Sequence, residues 1–340
     1  MQKQMFAAVF EGEGKLKIKK VPVPVVENEK DVIIKVDSVS ICGTDVHIVE
    51  VPPGFIAKPG TILGHEISGS IVDFGKGVKS LNIGDRVVIN PNEFDCTCDY
   101  CKLNQFNHCK DLKALGIGVD GGFAQFCKVS EIVCHKISAS IPPDVAAFAE
   151  PLACVINAAD KVKLQPGESV VIFGAGPIGL LFMKMFKLGG ASKIIVSDLS
   201  EYRRKFALKL GADIVIDPDK ENIQTIIKNA APGGVDIAVD AVGSQIKNGI
   251  DCVKKGGRIL LFGFNSKAEP KVKQSEITCK EVKILGTWLA NATFPKAVKL
   301  IESDVLNLEE LITETMSLND IHKGIELLSK GQAIKIMINP

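Results

Sequence analysis

Apolar residues follow three different rhythms along this chain. In the first third they form short runs divided by glycine. Residues 32–36, 67–74 and 86–89 read as strands with turn residues between them. Pro142-Pro143 breaks that rhythm. Beyond it, apolar strands are expected at 170–173, 193–196, 213–216, 236–241 and 258–262, with a sixth at 282–285. Helices are expected between them at 178–188 and 201–210. Strands that are apolar throughout, separated by helical stretches, are the pattern of a parallel sheet covered on both faces. The last fifty residues change again, with helical stretches at 294–303 and 318–329 and a strand at 334–338. The pattern does not say which body that tail joins. The fold class is therefore α/β, a doubly wound parallel sheet with a second, β-rich domain.

A length of 340 residues suits two domains, and 46% hydrophobic residues can fill both cores. Lys+Arg 41 against Asp+Glu 40 leaves a formal charge of +1. That balance offers no basic face to nucleic acid and no polybasic patch to a membrane. The apolar stretch 170–186 is interrupted by Gly174, Gly176, Pro177 and Gly179, which argues against a membrane helix. The opening MQKQMFAAVF has no secretory pattern, so a cytoplasmic location is expected and clustered thiols read as metal ligands before disulfides.

Two clusters carry chemistry. Gly174-Ala175-Gly176-Pro177-Ile178-Gly179 follows a strand and opens a helix. Gly174 permits the tight turn, Gly176 lets backbone approach a pyrophosphate, and Gly179 lets helix pack on strand. The helix that opens at Pro177 adds the free N–H groups of its first turn, from Ile178 onward, and a favourable dipole. Asp198 ends the next strand, where a carboxylate accepts hydrogen bonds from a ribose 2′-hydroxyl and repels a 2′-phosphate, so NAD is expected over NADP. The competing reading makes Asp198 a helix N-cap, with Ser200 a rival for that place. Arg203 and Arg204 either touch the adenosine side or form a solvated helix face. The second cluster is Cys96, Cys98, Cys101 and Cys109, a spacing suited to a closed structural zinc site.

These features occur with Cys42-Gly43-Thr44-Asp45-Val46-His47, Gly64-His65-Glu66, Gly84-Asp85-Arg86-Val87 and Glu150-Pro151. In that order the chain resembles, over nearly its whole length, the zinc-dependent medium-chain dehydrogenases, and most closely the branch of sorbitol, other polyol and threonine dehydrogenases. The resemblance implies a GroES-like catalytic domain from 1–155 and 290–340, with a metal lobe at about 91–112. It implies a Rossmann domain over 156–289. Two zinc ions per subunit, NAD, and a homodimer or homotetramer would follow. The family's knuckle runs C-x2-C-x2-C-x7-C, which puts Asp95 where a cysteine is expected and Cys96 one place late. Either Cys96 or Asp95 completes the set, and Cys96 is preferred because sulfur dominates closed zinc sites.

By the same resemblance Cys42, His65 and either Glu66 or Glu150 would hold a catalytic zinc with one position open, and Glu150 is the preferred carboxylate. Glu66 would otherwise orient the site from behind. Thr44 would contact an alcohol and His47 would receive its proton through the cofactor ribose. A turn hydroxyl and a loop histidine are the plain alternatives for these two. Cys127, Cys134, Cys154, Cys252 and Cys279 are expected in the core, and His108, His135 and His322 show no partner pattern. Phe123 either lines a substrate pocket or is core. Polyol enzymes often place Arg and Tyr in the segment matching residues 288–290, where this chain has Leu289 and Ala290. The expected reaction is NAD-dependent oxidation of a secondary alcohol in a polyol-like substrate. Threonine 3-dehydrogenase and butanediol or simple secondary-alcohol dehydrogenase are the rivals inside enzymology. A nucleotide-binding structural protein is the rival outside it.

Overall fold

The computed structural model describes residues 3–340. The chain divides into two compact units. One comprises the described residues up to Ala153 with Ala290–Lys330 and Lys335–Pro340, and the other comprises Cys154–Leu289 with Gly331–Ile334.

The first unit is built on a seven-stranded sheet. Across it lie Ile312–Ser317, Lys335–Asn339, Asp31–Ser40, Glu66–Phe74, Arg86–Ile89 and Cys134–Lys136, with Phe126–Ser130 paired to Asp31–Ser40. The C-terminal strand Lys335–Asn339 thus enters beside Asp31–Ser40, with Met337 opposite Ser40. A separate hairpin joins Gln4–Gly12 to Lys15–Pro22. The hairpin escapes a search for apolar runs because Lys15–Pro22 alternates lysine with apolar residues. Such strands bury one face only. Phe123, Phe148, Ile34 and Leu63 are fully buried. Each side chain of that size contributes roughly 1.5–3 kcal/mol when removed from water. Phe123 is therefore core.

From this unit projects a small lobe. It holds the two-strand pairing of Asn92–Glu93 with Lys113–Ala114, the helical turn Asp99–Lys102, and the 3-10 turn Phe106–His108. Phe94 and Phe106 pack at 4.6 Å between ring centroids. Asn291 clasps the lobe by accepting from Phe106 N–H (3.0 Å) and donating to the Asn104 carbonyl (3.0 Å).

The second unit is a six-stranded parallel sheet. Its spatial order is Ile214–Ile216, Lys193–Ser197, Ser169–Phe173, Val235–Asp240, Val253–Leu261, Lys283–Gly286. Strand order reverses between Ser169–Phe173 and Val235–Asp240, the place where open α/β sheets bind ligands outside their carboxyl ends. Leu180, Phe182 and Phe186 of helix Pro177–Leu188 are buried, as are Val171, Ile195, Ala238 and Ile259 of the strands. Cys127, Cys154 and Cys252 are buried as expected, but Cys279 is exposed, on a helix (Gln274–Lys280) with no buried residue. Among the described residues no helix is long and apolar enough to cross a membrane.

Candidate functional site

Strand register assembles the first cluster. Ser40, at the end of Asp31–Ser40, lies opposite Glu66, at the start of Glu66–Phe74. Cys42 is two residues beyond one end and His65 immediately precedes the other, so the antiparallel pairing brings them together. One ligand atom from each of Cys42, His65 and Glu66 lies within 4.8 Å of the others. The preferred carboxylate, Glu150, is outside that group, and Glu66 stands in its place. Glu150 sits in the first turn of helix Ala149–Val162, is buried, and acts on His65 through its charge.

The surroundings fit a cation. Burial by itself depresses the His65 pKa, yet the nearby charges of Asp45, Cys42 and Glu150 outweigh it and hold His65 well above its ordinary value. An assembly that draws a proton to a buried imidazole is short of positive charge, which a divalent ion supplies. Sulfur, nitrogen and carboxylate oxygen together are a zinc donor set. Asp45 shows no role in the sequence pattern, and the structure gives it one. It accepts from Cys42 N–H through Oδ2 (2.9 Å), and its Oδ1 faces His65 Nδ1 at 3.7 Å. Those two facing atoms are both buried and without a hydrogen-bond partner. The pair turns Nδ1 toward the carboxylate and leaves Nε2 for an ion.

Lys335 was missed as a site residue. Its ammonium and the Ser40 hydroxyl both donate to Glu66 Oε2, and lysine and glutamate are each about 1% exposed. The ammonium also lies 5.8 Å from the Phe148 ring centroid. Glu66 therefore has Oε2 engaged and Oε1 as its remaining donor. Thr44 and His47 lie on helix Gly43–Val49. The Cys42 Sγ and Thr44 Oγ1 are 3.7 Å apart. The His47 ring is 46% exposed and its Nδ1 is 3.1 Å from Glu50 Oε1.

In the lobe the structure corrects the sequence expectation. The side chains whose candidate ligand atoms lie within 4.8 Å of one another, close enough to share an ion, are Asp95, Cys98, Cys101 and Cys109, and Cys96 is exposed outside them. Cys98 Sγ and Cys109 Sγ are 4.0 Å apart, close to the about 3.8 Å between sulfurs on a tetrahedral zinc with 2.3 Å bonds. Hydrogen bonds from the Cys98 and Thr97 N–H groups hold the Asp95 carboxyl well below the usual carboxylate range. Burial and its neighbours push the Cys101 thiol up to about 12, so without an ion it stays protonated.

In the second unit Gly174 has φ of 98°, a conformation that glycine adopts without strain. A Cβ on Gly179 would lie 1.8 Å from the Gly174 carbonyl oxygen, so this helix can pass the loop only without a side chain. Gly176, Pro177 and Ile178 form the turn into the helix, with Gly176 as N-cap and Pro177 at N1. Asp198 does not cap the next helix, since Ser200 fills that role by accepting from Arg203 N–H (3.2 Å). Asp198 instead accepts from Ala175 N–H and Ser200 N–H, each at 2.7 Å. It is thereby tied to the glycine loop itself. A carboxylate has about four lone-pair positions, so two remain for hydroxyl donors. Arg203 and Arg204 separate. The Arg203 guanidinium approaches Gly176, 3.8 Å from where a Cβ would stand, whereas Arg204 binds the Asp198 and Leu199 carbonyls and Asp217 and is structural.

Known proteins share these features. Residues 28–139 match the model of the alcohol dehydrogenase GroES-like domain, and 177–303 match that of zinc-binding dehydrogenases. The chain is similar to a sorbitol dehydrogenase of Bombyx mori, 33% identical over 98% of both chains. Among solved structures it is similar to a 2R,3R-butanediol dehydrogenase of Bacillus subtilis (29% identity, TM-score 0.90, 99% of both chains). An Escherichia coli CFT073 alcohol dehydrogenase complexed with NADH is also similar (26%, TM-score 0.92, 100% of both chains).

Proposed function

We propose a reaction from one premise: this chain belongs to the zinc-dependent medium-chain dehydrogenases. It oxidises a secondary alcohol of a polyol-like substrate to a ketone, passing the hydride to NAD. The observation that carries this reading is geometric: a sulfur of Cys42, a ring nitrogen of His65 and a carboxylate oxygen of Glu66 lie within 4.8 Å of one another. Cys42 and His65 hold zinc together with Glu66, and Glu150 lies in reserve as an exchanging carboxylate. Zinc, when bound, supplies a Lewis acid that polarises the alcohol oxygen.

The other groups act on the proton and the cofactor. The Thr44 hydroxyl would give up its own proton as it takes the alcohol's, and the half-exposed His47 imidazole would receive that proton by way of the cofactor ribose and release it to water. His47 Nδ1 lies 3.1 Å from Glu50 Oε1, which orients the ring. The loop 174–179 takes the pyrophosphate, Asp198 the adenosine ribose, and Arg203 the edge of the loop. We assign the catalytic domain to 1–155 and 290–340 and the NAD-binding domain to 156–289. The lobe holds a second, structural ion through Cys98, Cys101 and Cys109. Ten free cysteines support residence in a reducing cytoplasm. The expected assembly is a homodimer or homotetramer.

Two predictions test the reading. Zinc-loaded protein with NAD should form NADH with a sugar alcohol in preference to threonine, butanediol or simple secondary alcohols. Leu289 and Ala290, in place of charged or hydroxyl-bearing side chains, favour a polyol with a less polar distal end. Threonine or butanediol as the best substrate would transfer the chain to the rival branch. No turnover by zinc-loaded protein on any of them would leave only nucleotide binding. Second, the chain should use NAD far better than NADP. Asp198→Ala should lower kcat/KM with NAD by about ten- to a hundredfold, the loss of one or two hydrogen bonds to a charged acceptor. Equal use of both cofactors by the unaltered protein would remove Asp198 from this role.

A further inference from the structure

The lobe contains four thiols, yet its donor group takes only three and finishes with a carboxylate. Two features hold Cys96 out. Its backbone is left-handed, with φ of 60°, and its side chain is exposed. Asp95, by contrast, is bound into the lobe from both ends. Its Oδ1 accepts from Thr97 N–H (2.8 Å) and Cys98 N–H (3.0 Å), and its own N–H donates to Cys109 Sγ (3.4 Å). Bringing the Cys96 sulfur inward would require turning residues 95–97 over and would break all three bonds.

We infer that Asp95 supplies the fourth donor atom of the lobe, an oxygen among three sulfurs, and that Cys96 remains outside as an exposed thiol. The inference rests on the lobe binding an ion, as proposed above. Zinc is borderline soft and held most firmly by thiolates, so the oxygen corner is the weak one. A carboxylate bound through one oxygen also leaves and returns with a small rotation. The lobe's ion is therefore exchangeable, in contrast to one enclosed by four sulfurs.

The test uses the full chain carrying Cys42→Ala, which removes a thiolate from the other group so that retained metal reports on the lobe. Bound cobalt(II) is counted by mass spectrometry under native conditions, and its thiolate charge-transfer absorption is measured. Cys96→Ser in this background is expected to change neither. Asp95→Cys, which keeps an acceptor for the two N–H groups, should raise the absorption per ion by about one-third, as four sulfurs replace three. It should also slow zinc loss to a colorimetric chelator about tenfold or more, and Asp95→Ala should speed that loss by a similar factor. A drop in absorption with Cys96→Ser, or zinc loss unaffected by Asp95→Ala, would overturn the assignment, and neither readout depends on Asp95→Cys folding. A Cys42→Ala protein that binds no cobalt, while the unaltered chain binds one ion, would overturn the lobe reading and this inference together.

Discussion

In metal-free protein, Lys335→Met should lower the unfolding free energy by about 3–5 kcal/mol, the penalty typical of a buried charge stripped of its partner. Lysine and Glu66 are each about 1% exposed, so no water replaces the lost ammonium. The Ser40 hydroxyl alone cannot neutralise the carboxylate it still binds. The pairing gives little net stabilisation when both partners are present, because desolvation offsets attraction. Adding Glu66→Gln to Lys335→Met should therefore restore much of the loss, and Lys335→Arg should lose least, since charge and donors remain. Urea unfolding of the four proteins provides the check. If Lys335→Met alone unfolds like the unaltered protein, Glu66 is not charged in the folded state.

Cys42→Ala should lower kcat by about a thousandfold or more. The Lewis-acid contribution of a bound ion is several kcal/mol, and each 1.4 kcal/mol is a factor of ten. Cys42 is only partly buried and lies at the start of a short helix, so its loss should leave the fold intact. NAD affinity, followed by the quenching of the single tryptophan, Trp288, should stay within a few-fold, because the glycine loop belongs to the other unit. Unchanged turnover, with the same number of ions per chain, would remove Cys42 from the metal set.

The second unit was largely legible in the sequence. Its strands are apolar throughout, and each of the six expected segments overlaps an observed strand, as 236–241 does Val235–Asp240. The first unit was harder to read. Lys15–Pro22 alternates lysine with apolar residues, and Ile312–Ser317 is a mostly polar edge strand, so neither forms an apolar run. Cys42, His65 and Glu66 were marked by resemblance, but only strand register shows why they meet. Asp95 held the right place by spacing and was set aside because sulfur is the commoner ligand. Backbone hydrogen bonding, which spacing does not reveal, favours Asp95. Lys335 gave no signal at all, being one lysine in an apolar strand whose partner lies 269 residues away.

That separation also bears on how the molecule is made. A ribosome releases Glu66 long before the lysine that will neutralise it, and the strand carrying Lys335 fills the place beside Asp31–Ser40 in the sheet. Until then the carboxylate must stay hydrated and the sheet must stay open on that side. The second unit waits for nothing comparable, since its six strands follow one another between Ser169 and Gly286. The segment synthesised first is thus among the last to settle, and a chaperone would find its exposed strand edge during the whole of that interval.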